Sequence, residues 1–151
     1  MFGVGPSGRS CRTKSALTTR FEDLASALVA HAAGIYCGEA AVGLLIGHRW
    51  WLCREDFLGE CVQVGDAEVD VFACVDWAAA VAALKTGRVG CSSSEQRVLV
   101  LAASFADGVP VDLPDLLTGL EQATAALVGD GIAHAAGRRR YVRMLGDGTA
   151  W

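Results

Sequence analysis

Apolar positions along this chain recur mostly at helical spacing. Phe21, Leu24, Leu28, Ala32 and Ile35 lie three or four residues apart, behind a Thr19/Glu22 pair with capping-box spacing. That pattern predicts a first helix over about 19–33, stopped by Gly34. A second helical segment over about 38–48 turns Ala40, Ala41, Leu44 and Leu45 inward, and Glu55 to Cys61 adds a short helix after the Trp50-Trp51 break. Asp76 is placed to cap a helix from Trp77 to Thr86 with Trp77, Ala80, Val81 and Leu84 inside. Ser92 and Glu95 form a second capping box, opening a helix to Asp107. Its run Val98 to Ala103 is apolar all round and predicts a central position. Thr118 and Glu121 form a third box, before a helix with Leu120, Ala123, Leu127, Gly131 and Ala135 on one face.

Two stretches break the helical period. Val69, Val71, Ala73 and Val75 alternate with Glu68, Asp70, Phe72 and Cys74, a strand pattern. One strand cannot make a sheet, so 62–75 is expected to be an irregular connection unless Val62 to Val64 pairs with it across a Gly65-Asp66 turn. Between the last two long helices, Val109-Pro110-Val111-Asp112-Leu113-Pro114 is extended, with Pro114 suited to start a short helical turn. The expected architecture is all-α: one compact bundle of five or six short helices over 19–137, with a flexible basic arm at 1–18 and a flexible basic tail at 138–151.

Composition narrows the function classes. Of 151 residues, 52% are apolar, which excludes a disordered chain. Twenty-five are alanine and only 11 aromatic, so the core must be built from small, closely packed side chains. The formal net charge of −4 averages unlike regions. Residues 21–137 hold 5 basic and 16 acidic groups, whereas Arg9, Arg12, Lys14 and Arg20 face no acid in 1–20, and Arg138, Arg139, Arg140 and Arg143 face only Asp147 in 138–151. An acidic body between basic ends is unlike a DNA-coating protein basic throughout.

The six cysteines form no CxxC pair and read as reduced, mainly buried thiols in a cytoplasmic protein. Glu22 and Asp23 cut short the only stretch that could serve as a signal peptide, and His31, Glu39 and four glycines interrupt 24–47 as a membrane span. No membrane association is expected.

The motifs that suggest chemistry are incomplete. GVGPSGRS at 3–10 matches a phosphate-binding loop except that Arg9 replaces lysine, and no strand precedes it to present the loop. His48, Cys53, Glu60 and Cys61 have no recognised metal spacing, and His31 and His134 read as packed or rim histidines. Ser92 to Ser94 are explained as a helix start, with no nucleophile elbow. Neither a catalytic residue, a metal nor a cofactor is expected. Gly43-x-x-x-Gly47 would let two helix backbones approach. Trp50 and Trp51 are candidate partner-binding anchors, though core packing accounts for them more simply. Arg138, Arg139, Arg140 and Arg143 are candidate contacts for nucleic acid or an acidic partner.

The run CSSSEQRVLVLAASFADGVPVDLPDLLTGLEQATAALVGDGIAHAAG, residues 91–137, resembles a segment of uncharacterised small Ala/Leu-rich helical proteins of high-GC bacteria. The likeness is carried by Glu95, Arg97, Leu101 to Ser104, Gly108 to Leu113 and Ala136-Gly137. It implies a helical fold and a bacterial cytoplasmic setting, and carries over no functional residue. The leading expectation is a noncatalytic domain acting through protein association, with a protein partner or a second copy of itself. A nucleic-acid-associated protein using the C-terminal arginines is the alternative, and a small enzyme around His48, Cys53 and Glu60 the third.

Overall fold

In the computed structural model the described residues are 14–66 and 71–137. The phosphate-loop-like motif and the four C-terminal arginines lie outside them. The fold is all-α apart from one hairpin. In order, the elements are α1 (Lys14–Ala32), α2 (Tyr36–His48), a 3-10 turn (Trp51–Cys53), α3 (Glu55–Cys61), β1 (Val62–Asp66), β2 (Val71–Val75), α4 (Trp77–Lys85), α5 (Ser93–Asp107), α6 (Leu113–Thr118) and α7 (Gln122–Ala135).

The expected caps at Asp76 and Ser92 are present, and the short helix expected at Pro114 is capped by Asp112. Asp76 accepts the Ala79 N–H at 2.9 Å and opens α4, and Ser92 accepts the Glu95 N–H at 3.4 Å and opens α5. Asp112 opens α6 by accepting the Asp115 N–H at 3.3 Å, with Pro114 in the first turn, where its missing N–H costs nothing. Gly108 ends α5 in the left-handed conformation.

Two expected capping boxes are not caps. Helix α1 begins at Lys14, so Thr19 stands inside it, since nothing between Lys14 and Thr19 breaks a helix. Thr118 closes α6 rather than opening α7, and its hydroxyl donates to the Pro114 carbonyl at 2.5 Å. Helix α7 starts after Glu121, which makes no side-chain cap bond. The face of α7 that turns inward is the one packed on α2. Of the expected stripe Leu120, Ala123, Leu127, Gly131 and Ala135, Gly131 is buried and Leu120 and Leu127 are partly covered by the core, while Thr124, Val128 and His134 are the other buried positions.

The 62–75 segment forms a hairpin. Val62, Gln63, Val64, Gly65 and Asp66 pair antiparallel with Val75, Cys74, Ala73, Phe72 and Val71. Gly65 and Asp66 belong to β1, so the chain reverses beyond them rather than at them. The pair persists because β2 packs on α1, burying Ala73 and Val75, which supplies the apolar cover an isolated hairpin lacks. Opposite Gly65, the Phe72 ring lies where a Cβ would stand, 2.6 Å from it, and contacts His31 edge-on at 5.0 Å.

The centre belongs to α2, not to α5. Seven consecutive residues, Ala40 to Ile46, are buried, and α2 packs against α1, α5 and α7. Alanine and Gly43 make this possible, because small side chains let three neighbours approach one helix. Of the Gly43/Gly47 pair, only Gly43 is buried. Helix α5 buries Val98, Leu99, Leu101, Ala102 and Ala103 against α2 and α4 but leaves Val100 half-covered.

Candidate functional site

The chain turns tightly at the C-terminal end of α2. Arg49 has φ 65° and ψ −36°, and the Trp50 N–H donates to the His48 carbonyl at 2.8 Å, closing a three-residue turn of the rare, strained kind. The Arg49 guanidinium lies 4.0 Å from the centre of the Phe21 ring, tying the bend to α1. The bend delivers Trp51 into the core. This residue is 0% exposed, packs on Phe57 at 5.1 Å, and donates its indole N–H to the Glu95 carbonyl at 2.9 Å. Trp51 therefore holds α5 against the corner and is withdrawn from any partner. Trp50 is half-buried, with its ring edge-to-face on Trp51 at 4.8 Å and the Arg54 guanidinium 4.5 Å from its centre.

Arg54 fixes the far side of the corner. It pairs with Asp56 through Nε at 2.9 Å and through Nη2, and Nη1 donates to the Gly90 carbonyl. Hydrogen bonding to Arg54 holds the Asp56 carboxyl below its usual range and raises Arg54 in return. Beside this corner, burial pushes the His48 imidazole below its ordinary pKa, partly offset by the negative charges of Glu95 and Glu121. His48 Nδ1 and Glu95 Oε2 are both shut off from solvent and have no hydrogen-bond partner among the described residues.

A second polar pair bridges the bundle. His134 on α7 and Glu39 on α2 meet with Nε2 and Oε2 2.6 Å apart. An ionised carboxylate can only accept, so the imidazole donates from Nε2. Glu39 Oε1 accepts the Gly34 N–H at 3.0 Å, and the Tyr36 ring stands edge-on to His134 at 5.8 Å. One carboxylate thus joins the α1–α2 turn to the last helix. Sequence reading placed His134 among packed or rim histidines but did not pair it. The available signal was that Glu39 and His134 each interrupt an apolar stretch, since a polar group buried there needs a partner.

Glu60 and His48 have different partners. Glu60 faces Arg88 at 3.5 Å, while the carboxylates acting on His48 are Glu95 and Glu121. No group of three or more His, Cys, Asp or Glu among the described residues could hold a metal ion. The described cysteines are thiols, but only Cys61 is fully buried; Cys37 and Cys53 are exposed. Burial, reinforced by Glu60, pushes the Cys61 thiol up to about 11, so it is protonated at neutral pH and a poor nucleophile.

Large apolar side chains are exposed on α6, at the α1–α2 turn, on the hairpin at Val64 and Phe72, and on α7 at Ile132. Leu113 and Leu117, one helical turn apart on α6, are 49% and 46% exposed, and Leu116 between them is the one that enters the core. At the α1–α2 turn, Ile35 and Tyr36 are 65% and 44% exposed. No described helix is long and apolar enough to cross a membrane. The comparisons add no relative: no family model matches the chain, and neither a curated protein nor a solved structure matches it.

Proposed function

We propose that this protein is a noncatalytic association domain that works by binding another protein chain, either a distinct partner or a second copy of itself. The observation that carries this reading is the outward Leu113–Leu117 edge of α6. A six-residue helix held by an Asp112 cap and Pro114 presents two leucines in a fixed geometry, so little ordering entropy is lost when they are covered. An apolar edge rimmed by Asp112 and Asp115 has the layout of an interface core with a polar margin. The reading includes a cytoplasmic setting, where exposed thiols such as Cys37 and Cys53 stay reduced.

The test compares the full chain with its Leu113→Glu/Leu117→Glu variant by light scattering after size exclusion, and by affinity capture from the native cell. Wild-type chain should give a mass above the monomer, or retain a protein that the variant releases, with the helical circular dichroism of the two indistinguishable. A monomeric wild type that captures nothing, or an assembly the double substitution leaves intact, overturns the reading.

A further inference from the structure

The hairpin is a sheet of two strands, and their outer sides differ. Helix α1 packs on β2, whereas β1 packs on β2 and on α3, the helix that leads into it. The register decides which backbone groups of β1 are used. The Asp76 N–H donates to the Cys61 carbonyl at 2.7 Å, which makes Cys61 and Asp76 a hydrogen-bonded pair of the antiparallel ladder. Such pairs alternate, so Gln63 and Gly65 bond to Cys74 and Phe72, while Val64, opposite Ala73, turns its N–H and C=O away from β2. Neither group has a hydrogen-bond partner among the described residues. The Val64 side chain is 64% exposed, and Gln63 is exposed beside it. Open edges are commonly closed by proline, lysine or a bulge. Val62 to Asp66 contains no proline and no lysine, and its register with β2 is unbroken.

The charge around this edge selects what can add to it. From Glu55 to Leu84 the chain carries seven acidic residues and no basic one. Arg54 pairs with Asp56 and Arg88 faces Glu60. Three of the others, Asp66, Glu68 and Asp70, lie within six residues of Val64 along the chain. A second copy of β1 would bring the same acidic set against itself, and a nucleic acid would be repelled. An extended segment carrying Lys or Arg would be attracted.

We propose that the Val64 edge of β1 accepts an extended basic segment of another protein as a third strand. Backbone hydrogen bonds to the Val64 N–H and C=O supply the pairing, and an aliphatic side chain of the incoming strand covers Val64. Lysine or arginine flanking that side chain meets the acidic surroundings and sets the choice of partner. This edge is separate from the α6 leucines, and neither reading rests on the other.

Amide hydrogen exchange on the full chain, read by NMR, tests it with a capped peptide of alternating valine and lysine. Saturating peptide should slow exchange of the Val64 amide at least about tenfold. The valine–glutamate counterpart should give no slowing. Neither should a valine–lysine peptide N-methylated at alternate residues, which keeps the charge but cannot complete the ladder. Val64→Pro should abolish binding of the valine–lysine peptide and leave the helical circular dichroism unchanged, because the N–H it removes is not used between β1 and β2. Unchanged Val64 exchange overturns the proposal, as does binding that survives N-methylation or Val64→Pro. Equal slowing by the glutamate peptide overturns it as well. Protection of Val64 without peptide that grows with protein concentration overturns it too, assigning the edge to a second copy.

Discussion

Helix α2 carries Glu39 near its beginning and His48 at its end, and each has an opposite number on another helix. Glu39 meets His134 of α7 in a closed contact at 2.6 Å, whereas His48 lies in the field of Glu95 of α5 with Nδ1 and the Glu95 Oε2 left without hydrogen bonds among the described residues. The same two residue types thus give opposite results. At the Glu39 end, a regular helix pair and the Gly34 turn let both carboxylate oxygens find donors. At the His48 end, the strained turn at Arg49 is set by the need to bury Trp51 and place its indole N–H on the Glu95 backbone. Burying a large aromatic contributes about 1.5–3 kcal/mol and its indole N–H gains a backbone partner, a gain of the same order as the about 1–3 kcal/mol that a buried polar atom without a partner costs.

Removing the closed pair should have the largest effect. His134→Ala is expected to lower unfolding stability by about 2–4 kcal/mol, through a lost buried side chain and a broken hydrogen-bonded pair. Glu39→Gln keeps one of the two acceptor oxygens and should cost less, about 1–2 kcal/mol. Urea denaturation of the three proteins checks both values. Equal losses would mean that the charge, not the hydrogen bond, holds α7 to α2.

A smaller effect is expected at Arg49, where two substitutions separate strain from contact. Arg49→Ala and Arg49→Gly both lose the cation–π contact with Phe21, but only glycine tolerates φ 65° without strain. The glycine variant should therefore be more stable than the alanine variant by about 1 kcal/mol. If the two are equal in thermal and urea unfolding, the turn is not a source of strain.

The smallest expected effect is a pH dependence at His48. Its folded pKa lies below the ordinary 6.5, so the unfolded chain binds the proton first as pH falls. The contribution of neutral His48 is full above 6.5 and is lost as pH drops through the folded value. His48→Gln should flatten that part of the stability curve. Because Glu95 and Glu121 raise the His48 pKa against the effect of burial, Glu95→Gln should lower it further, and by more than Glu121→Gln. Titration of the imidazole by NMR reads this directly, and an upward shift in Glu95→Gln would contradict the assigned electrostatics.

Much of the helical frame was legible from local pattern, and the errors have local causes. Asp76, Ser92 and Asp112 act as caps because each precedes a helix whose upstream neighbours cannot continue it. Thr19 and Thr118 have the same spacing to a glutamate, yet Thr19 has helix-compatible residues before it and the Thr118 hydroxyl is used within α6. A capping box reads as a start only when the preceding chain is excluded from the helix. The hairpin was ambiguous because its apolar cover comes from α1, a segment distant in sequence whose packing on β2 no local pattern shows. Of the two tryptophans, Trp51 was consumed by the core, and the exposed apolar edge fell on Leu113 and Leu117, which helical spacing alone reads as ordinary core leucines.

By itself the sequence determined an all-α class, most helix positions, and an acidic body set between basic ends, because these depend on residue periodicity, caps and charge that act within a few residues. Only the tertiary structure decided that α2 is central and that Glu39 meets His134 across 95 residues of chain while His48 Nδ1 and Glu95 Oε2 have no hydrogen-bond partner among the described residues. Those outcomes depend on which helix faces can approach closely, and that is set by the volumes of alanine, glycine and tryptophan packed together rather than by any one segment.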